Sequence, residues 1–236
     1  APGAPPVLGW RRLSVVLDRV EPLARRASVG AVTLDGVSLA VARDAQGGLN
    51  WQRHAAAIAP PRPVSPTSTP PAVPAWQATL ASLAVTDGRV DWRDEAIRPA
   101  AAVPVRDIAL SVEALRWPMT EPAAVSLEAR VADAAVRAQG RASDREAELD
   151  LSWRDLVPAP YAPYLATRLV PALDARMAGD VALRWRAGRG RSEAPAPVPP
   201  VSPVLSVQAR TLEVQSLRLG PNRQPLLAAD RIALSD

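Results

Sequence analysis

Few residues of this chain have the chemistry that catalysis or metal binding requires. His54 is the only histidine and cysteine is absent, so the sequence offers no thiol nucleophile and no convincing set of nitrogen and sulfur metal ligands. A Ser-His-Asp triad would depend on His54 alone, and no Gly-x-Ser-x-Gly motif accompanies the serines. We therefore expect His54 to lie in a solvated turn, and we predict that the protein is not an enzyme.

The aspartates of the run DGRVDWRDE are the best candidates for calcium ligands. Asp87, Asp91 and Asp94 lack the spacing of an EF-hand loop and its closing glutamate, and arginines interrupt the run. The GRGR sequence at residues 188–191 is too short for an RNA-binding tract and lies in a proline-rich stretch. We expect no metal and no cofactor.

The positive charge of the chain is a weak indication of nucleic-acid binding. The net charge is +4, because 24 acidic residues nearly balance 28 basic ones, all of them arginine. The arginines are dispersed among Asp and Glu, so they form no basic stripe. A nucleic-acid partner is therefore not predicted.

The strongest pattern is an alternation of apolar and polar residues, which is typical of strands with one buried face. In residues 29–51 the alternation is interrupted at Asp35-Gly36 and ends at Asn50-Trp51. A second copy, LAVTDGRVDW, is interrupted at Asp87-Gly88 and ends at Trp92. Since an Asp-Gly step accepts a positive φ, both interruptions predict a bulge or tight turn. The repetition predicts one extended sheet.

The same alternation continues to the end of the chain, with a shift expected at Glu113-Ala114. Residues 160–172 are the best helix candidate, because Tyr161, Tyr164, Leu165 and Leu169 have helical spacing. A short helix is also expected within residues 52–59. The predicted fold class is mainly β, an extended antiparallel sheet with one or two short helices.

The proline clusters divide the chain into segments. We expect a tail at residues 1–12, a first β-unit at 13–59, a proline-rich loop at 60–75 and a central β-groove at 76–186. A second proline-rich loop at 187–204 precedes C-terminal strands at 205–236. Proline at this density prevents regular helix and sheet.

Tryptophans mark the strand ends, at Trp51, Trp92, Trp117, Trp153 and Trp185. They fit ordinary packing at the rim of a sheet, with each indole N–H bonded to water or a carbonyl. A second interpretation is a row of amphipathic rings along an apolar groove.

The repeated motifs resemble a known family. LDGVSLAVARDAQGGLNW, followed by LAVTDGRVDWRDEAI and LRWP, is similar to the AsmA-like superfamily, and closest to its branch called domain of unknown function 748. The resemblance covers Leu13 to Trp185. Its motif residues are Asp35, Gly36, Asn50, Trp51, Asp87, Gly88 and Trp92.

The resemblance implies a sheet curled into an open, taco-like groove that is apolar inside and polar outside. It implies a non-enzymatic module in the periplasm of a Gram-negative bacterium that binds or conducts phospholipid, and no catalytic residue carries over. We expect this chain to be a soluble part of an inner-membrane-anchored protein, whose membrane segments it lacks, with envelope proteins as further partners.

Residues of the groove follow from the face that each strand pattern presents. They are Val32, Leu34, Val37, Leu39, Val41, Leu83, Val85, Val90, Ile108, Leu110, Val112, Leu149 and Leu151. The alternative is a structural or protein-interaction scaffold of the cell envelope, in which the same residues would fill a closed, dry core.

Overall fold

The structure, a computed structural model, describes residues 7–52, 76–166, 173–188, 204–220 and 227–235. His54 and the predicted loop at 60–75 lie outside the described residues. So do most of the loop at 187–204, most of the helix expected at 52–59 and the last part of the helix expected at 160–172.

Within the described residues, twelve strands form one sheet. They are β1 (Leu8–Gly9), β2 (Arg12–Glu21), β3 (Arg26–Asp35), β4 (Ser38–Arg43), β5 (Gln77–Asp94), β6 (Ala101–Trp117), β7 (Ala123–Val131), β8 (Ala134–Ala142), β9 (Glu146–Leu156), β10 (Leu173–Arg186), β11 (Val204–Leu219) and β12 (Leu227–Ser235). Between β9 and β10 lie a 3-10 turn, Ala159–Tyr161, and a four-residue helix, α1 (Ala162–Leu165).

Strands β5 to β12 lie side by side in chain order, and each pairs antiparallel with the next. On the other side of β5, β3 pairs with its first half and β4 with its second half, and both run parallel to it. Strands β2 and β1 then flank β3 and β4 as the outermost row. The predicted fold class is confirmed: the described chain is mainly β, in one mostly antiparallel sheet that does not close on itself.

The parallel pairing was not predicted from the sequence. The two copies of the motif are the partners, since β3 and β4 keep a constant offset of 51 residues from β5. Parallel strands need a crossover connection, because the chain must return to the same end of the sheet before the second strand begins. The first copy of the repeat, in β3 and β4, thus lies directly beside the second copy, in β5.

Apolar residues form continuous rows across the sheet, because paired residues share a face. One row takes a residue from each of nine strands: Val15, Val32, Leu83, Val112, Val125, Gly140, Leu149, Leu183 and Val207. The adjacent row is Leu13, Leu34, Val85, Leu110, Leu127, Ala138, Leu151, Val181 and Ala209. We call the side of the sheet that carries these rows the apolar face, and the opposite side the polar face.

Few side chains are fully buried. The buried hydrophobic residues among those described are six alanines and one valine: Ala101, Val103, Ala123, Ala129, Ala134, Ala175 and Ala182. The described strands all belong to one sheet, so no second sheet among them covers the apolar face.

An extra residue interrupts several strands at the same level. In a regular strand, residues an odd number of steps apart point to opposite faces. Val85 and Val90 are five steps apart but share the apolar face, because a bulge at Asp87, with φ of +49°, adds one residue between them. Gly36, with φ of +65°, lies beside it between β3 and β4, and Asp107, with φ of +52°, interrupts β6. Because bulged strands bend, we call the line through Gly36, Asp87 and Asp107 the crease.

Both interruptions predicted at the Asp-Gly steps are present, although on β5 the positive φ falls on Asp87 rather than on Gly88. At the Glu113-Ala114 step Ala114 has a positive φ of +57°, but the pairing of β6 with β5 continues without the expected shift, from Ser82 with Glu113 to Leu80 with Leu115. Asp87 and Asp107 suit a positive φ, because short polar residues tolerate this conformation better than most side chains.

Arg11 joins the strands across the crease. One guanidinium nitrogen lies 3.0 Å from Asp35 Oδ1 and 2.5 Å from Asp87 Oδ2, and the Arg11 backbone N–H donates to the Asp35 carbonyl at 3.0 Å. The hydrogen bond and charge of Asp35, and then the charge of Asp87, raise the pKa of Arg11 above its ordinary value. These groups are exposed, so the pairing orients the outer strand and adds little to stability.

We expect Gly36→Ala to lower the free energy of unfolding by about 1–3 kcal/mol, because an L-residue at a positive φ is strained. A Cβ atom at Gly36 would also collide with the Arg11 side chain. Urea denaturation followed by tryptophan fluorescence measures the loss. Gly48→Ala is the control, since its Cβ would meet only the flexible carboxylate of Asp44, 3.0 Å away. Equal losses in the two variants would contradict the role of the crease.

Candidate functional site

The apolar face collects the residues that the sequence assigned to a groove. By register, every one of them except Val37 has its side chain on this face: Val32, Leu34, Leu39, Val41, Leu83, Val85, Val90, Ile108, Leu110, Val112, Leu149 and Leu151. Strand β7 connects the two sides of the crease, because Leu127 pairs with Leu110 and Val131 with Val105 within an unbroken alternation. The face therefore continues across the crease.

Val37 lies in the break between β3 and β4, outside both strands. Its carbonyl accepts a hydrogen bond from the Arg89 backbone N–H at 2.8 Å. The pairing register thus gives it a place in the crease and does not assign its side chain to the apolar face.

Further residues of the apolar face were part of the alternating pattern but were not assigned to the groove. They are Leu13, Val15, Val125, Leu127, Val181, Leu183 and Val207. The two-residue period alone could have included them. Their alignment with the central residues depends on register, which the sequence does not encode locally.

The apolar face becomes more exposed toward both edges of the sheet. Central residues such as Leu83 and Leu110 are half-buried by their neighbours. At the first edge Leu13 is 48% exposed, and at the far side Leu205 and Leu234 are 66% and 64% exposed. The uncovered apolar surface therefore extends over the whole width of the sheet, which is unusual for a protein surface in contact with water alone.

The motif residues hold the strands in place. The Gly36 backbone N–H donates to the Thr86 carbonyl at 2.9 Å, which joins the two Asp-Gly steps at the crease. The Asn50 side chain accepts from the Ala42 N–H at 3.1 Å and donates to the Ala40 carbonyl at 2.8 Å, as a neighbouring strand would. Trp51 is 45% exposed.

Trp92 takes part in a polar network on the apolar face. Its Nε1–H donates to the Tyr164 hydroxyl at 2.7 Å, and that hydroxyl donates to Asp94 Oδ2 at 3.2 Å. Asp94 is 1% exposed and also accepts from the Ala96 N–H at 2.9 Å, while Arg43 lies 3.5 Å away. A carboxylate this deeply buried requires such partners.

The segment that carries Tyr164 crosses the apolar face. We call residues 157–166 the strap. It leaves the end of β9, contacts β6 and reaches β5 through Tyr164. Ala101 and Val103, at the start of β6, are 1% and 7% exposed. The helix in the strap, α1, has four residues and is shorter than the helix predicted at 160–172. Burial raises the pKa of Tyr161, also in the strap, above its ordinary value.

The tryptophans differ in their surroundings. The ring of Trp153 lies over Gly179, where a Cβ atom would come within 2.5 Å of it, and the Trp153 Nε1 is buried without a hydrogen-bond partner among the described residues. Trp117 is 61% exposed at the other end of the sheet from the strap.

A depression of about 430 Å³ lies on the polar face, at β9 to β12. Its charged groups are already paired with one another. Arg231 lies 2.8 Å from Glu213, Arg154 3.6 Å from Asp180 and Arg176 3.8 Å from Asp155. Because these pairs satisfy one another, the depression offers no free charge to a ligand, and the apolar face remains the candidate site.

The described part of the chain offers neither a metal site nor a membrane-spanning helix. It contains no group of three or more His, Cys, Asp or Glu side chains placed to hold a metal ion. Of the three aspartates considered as calcium ligands, Asp87 pairs with Arg11 and Asp94 belongs to the network with Tyr164. No helix in the described ranges combines the length and the apolar character that crossing a bilayer requires.

No protein-family model matches the chain, and neither a curated protein nor a solved structure matches it. The AsmA-like resemblance therefore depends on the motif residues themselves and stays a prediction.

We expect Asp94→Asn to lower the free energy of unfolding by about 1–3 kcal/mol, because its charge-assisted hydrogen bonds weaken in a buried place. Thermal and urea denaturation measure the loss. Asp91→Asn is the matched control, since Asp91 is exposed on the polar face of the same strand. An Asp94→Asn protein as stable as the Asp91→Asn protein would show that the network does not hold the strap.

Proposed function

We propose that this protein is a non-enzymatic module that binds phospholipid, or another lipid with acyl chains, along the apolar face. The observation that carries the proposal is the pair of apolar rows that cross nine strands with no second sheet over them among the described strands. Apolar surface of this extent needs a ligand or a partner to cover it.

The dimensions of the face suit an acyl chain. Nine strands at a spacing of about 4.8 Å give rows roughly 38 Å long, more than one acyl chain requires. An acyl chain lying along a row would contact the side chains of successive strands. The branched residues Val and Leu that dominate the rows make these contacts without hydrogen bonds that would select one headgroup.

The energetics favour exchange of lipid over tight storage. Each methylene group moved from water to the face gains about 0.8 kcal/mol. A lipid in a bilayer has already made that gain, so its transfer to the apolar face is close to neutral in free energy. A face of this kind can therefore accept a lipid from one membrane and release it to another.

The cellular setting belongs to the same proposal. The AsmA-like resemblance supports a periplasmic location in a Gram-negative bacterium, in a protein anchored to the inner membrane, with a part in supplying or maintaining lipid of the outer membrane. The residues we propose to line the lipid path are the groove residues on the apolar face.

A scaffold that covers the apolar face with a protein partner is the second candidate. The exposed apolar residues at both edges, including Leu13 and Leu234, favour it. It predicts a folded protein that carries no lipid and binds a protein partner through these residues.

We expect phospholipid to co-purify with the protein from a Gram-negative host, and Leu110→Asp to reduce the bound lipid at least tenfold, since it places a charge in the apolar path. Native mass spectrometry combined with lipid extraction measures both.

Ser126→Asp is the matched control. Ser126 is exposed on the polar face, and it pairs with Ser111, the neighbour of Leu110. Both variants are first compared by circular dichroism to establish folding. A folded wild-type protein that carries no lipid, or equal lipid in the two variants, would refute the lipid path and favour the scaffold.

A further inference from the structure

The strap covers a part of the apolar face that would otherwise continue the lipid path. Val41, Trp92 and Val103 pair across β4, β5 and β6 and form the next apolar row beyond Leu39, Val90 and Val105. Tyr164 is bonded to Trp92 in this row and to Asp94 just beyond it. The strap thus lies on the surface that an acyl chain would use.

The way the strap is built makes it separable from the sheet. Its regular structure is one 3-10 turn and one turn of helix, and neither begins with a side-chain cap. Such short helical pieces have little stability of their own and depend on the surface against which they pack. The hydroxyl of Tyr164, which accepts from one strand residue and donates to another, fixes the strap to β5.

The surface that would be exposed if the strap lifted from the sheet is suited to lipid. Val41, Trp92 and Val103 would present a branched, aromatic and branched row in line with the exposed rows on the other side of the crease. Asp94, buried and bonded to the Tyr164 hydroxyl, lies just beyond this row, where it pairs with Ala101.

We propose that the strap is an autoinhibitory cover, which competes with an acyl chain for the row formed by Val41, Trp92 and Val103. This inference depends on the proposed lipid binding. In the covered state the lipid path is limited to the other rows of the apolar face. Release of Tyr164 extends the path toward Asp94, so a lipid that reaches this row must displace the strap.

The test compares Tyr164→Phe with Tyr161→Phe. Both variants remove one hydroxyl from the same segment, and the chain has no other tyrosine. Only the Tyr164 hydroxyl bonds to both Trp92 and Asp94. Loss of a hydrogen bond shifts an equilibrium by about 2- to 12-fold, so Tyr164→Phe is expected to raise the affinity for lipid by about this factor.

Two measurements are made on each protein. The first is binding of a fluorescent phosphatidylethanolamine from vesicles of phosphatidylethanolamine and phosphatidylglycerol. The second is hydrogen exchange, by nuclear magnetic resonance, of the Ala166 backbone N–H, which donates to the Ala162 carbonyl within the strap at 2.8 Å and is not a partner of the Tyr164 hydroxyl. The second readout reports opening of the strap whether or not lipid binds.

Faster exchange at the Ala166 N–H together with tighter lipid binding, in Tyr164→Phe and not in Tyr161→Phe, is the expected result. Faster exchange with unchanged or weaker lipid binding would overturn the cover and leave the lipid path standing. Absence of lipid binding in every protein, including wild type, would overturn the proposed function itself. Identical behaviour of the two variants would show that the Tyr164 bonds do not hold the strap closed.

Discussion

The structure depends on a constraint of parity. A strand has two faces, and a step of one residue moves every later side chain from one face to the other. The apolar residues on β5 and β6 would change face half-way along each strand if Asp87 and Asp107 did not absorb an extra residue at a positive φ. Gly36 does the same for the outer strands. The apolar face is continuous only because these residues lie at one level, and Arg11 ties the outer row to that level through Asp35 and Asp87.

Stability and exposure are in tension in such a sheet. The apolar rows are half-buried by lateral neighbours, and full burial is confined to small residues such as Ala101 and Ala134. Backbone pairing and cross-strand contacts must therefore supply most of the stability. Exposed ion pairs across the strands of the polar face, such as Arg137 with Glu128, add little. A sheet stabilised in this way can keep its apolar face free for a ligand, because it does not need that face for a core.

The sequence predicted the parts of this structure that are encoded locally. Alternation identified the strands, and the two Asp-Gly steps identified the interruptions at Gly36 and Asp87, because both signals lie within a few residues. The interruption at Asp107 was not predicted. The parallel pairing of β3 and β4 with β5 could not be read, since a two-residue period is the same for parallel and antiparallel partners. The network of Trp92, Asp94 and Tyr164 was also missed. Tyr164 is 72 residues from Trp92 and 70 from Asp94, and the spacing of Tyr161, Tyr164 and Leu165 indicated only a helix.

The parallel pairing also sets the order in which the sheet can assemble. From β5 onward each strand meets the strand made just before it, so those contacts close short loops and form early. The first four strands find their place on β5 only across 51 residues, and closing that loop costs more chain entropy than any hairpin in the rest of the sheet. During synthesis they emerge first and are completed late. The strands that carry the first copy of the repeat therefore spend the longest time with an unpaired edge.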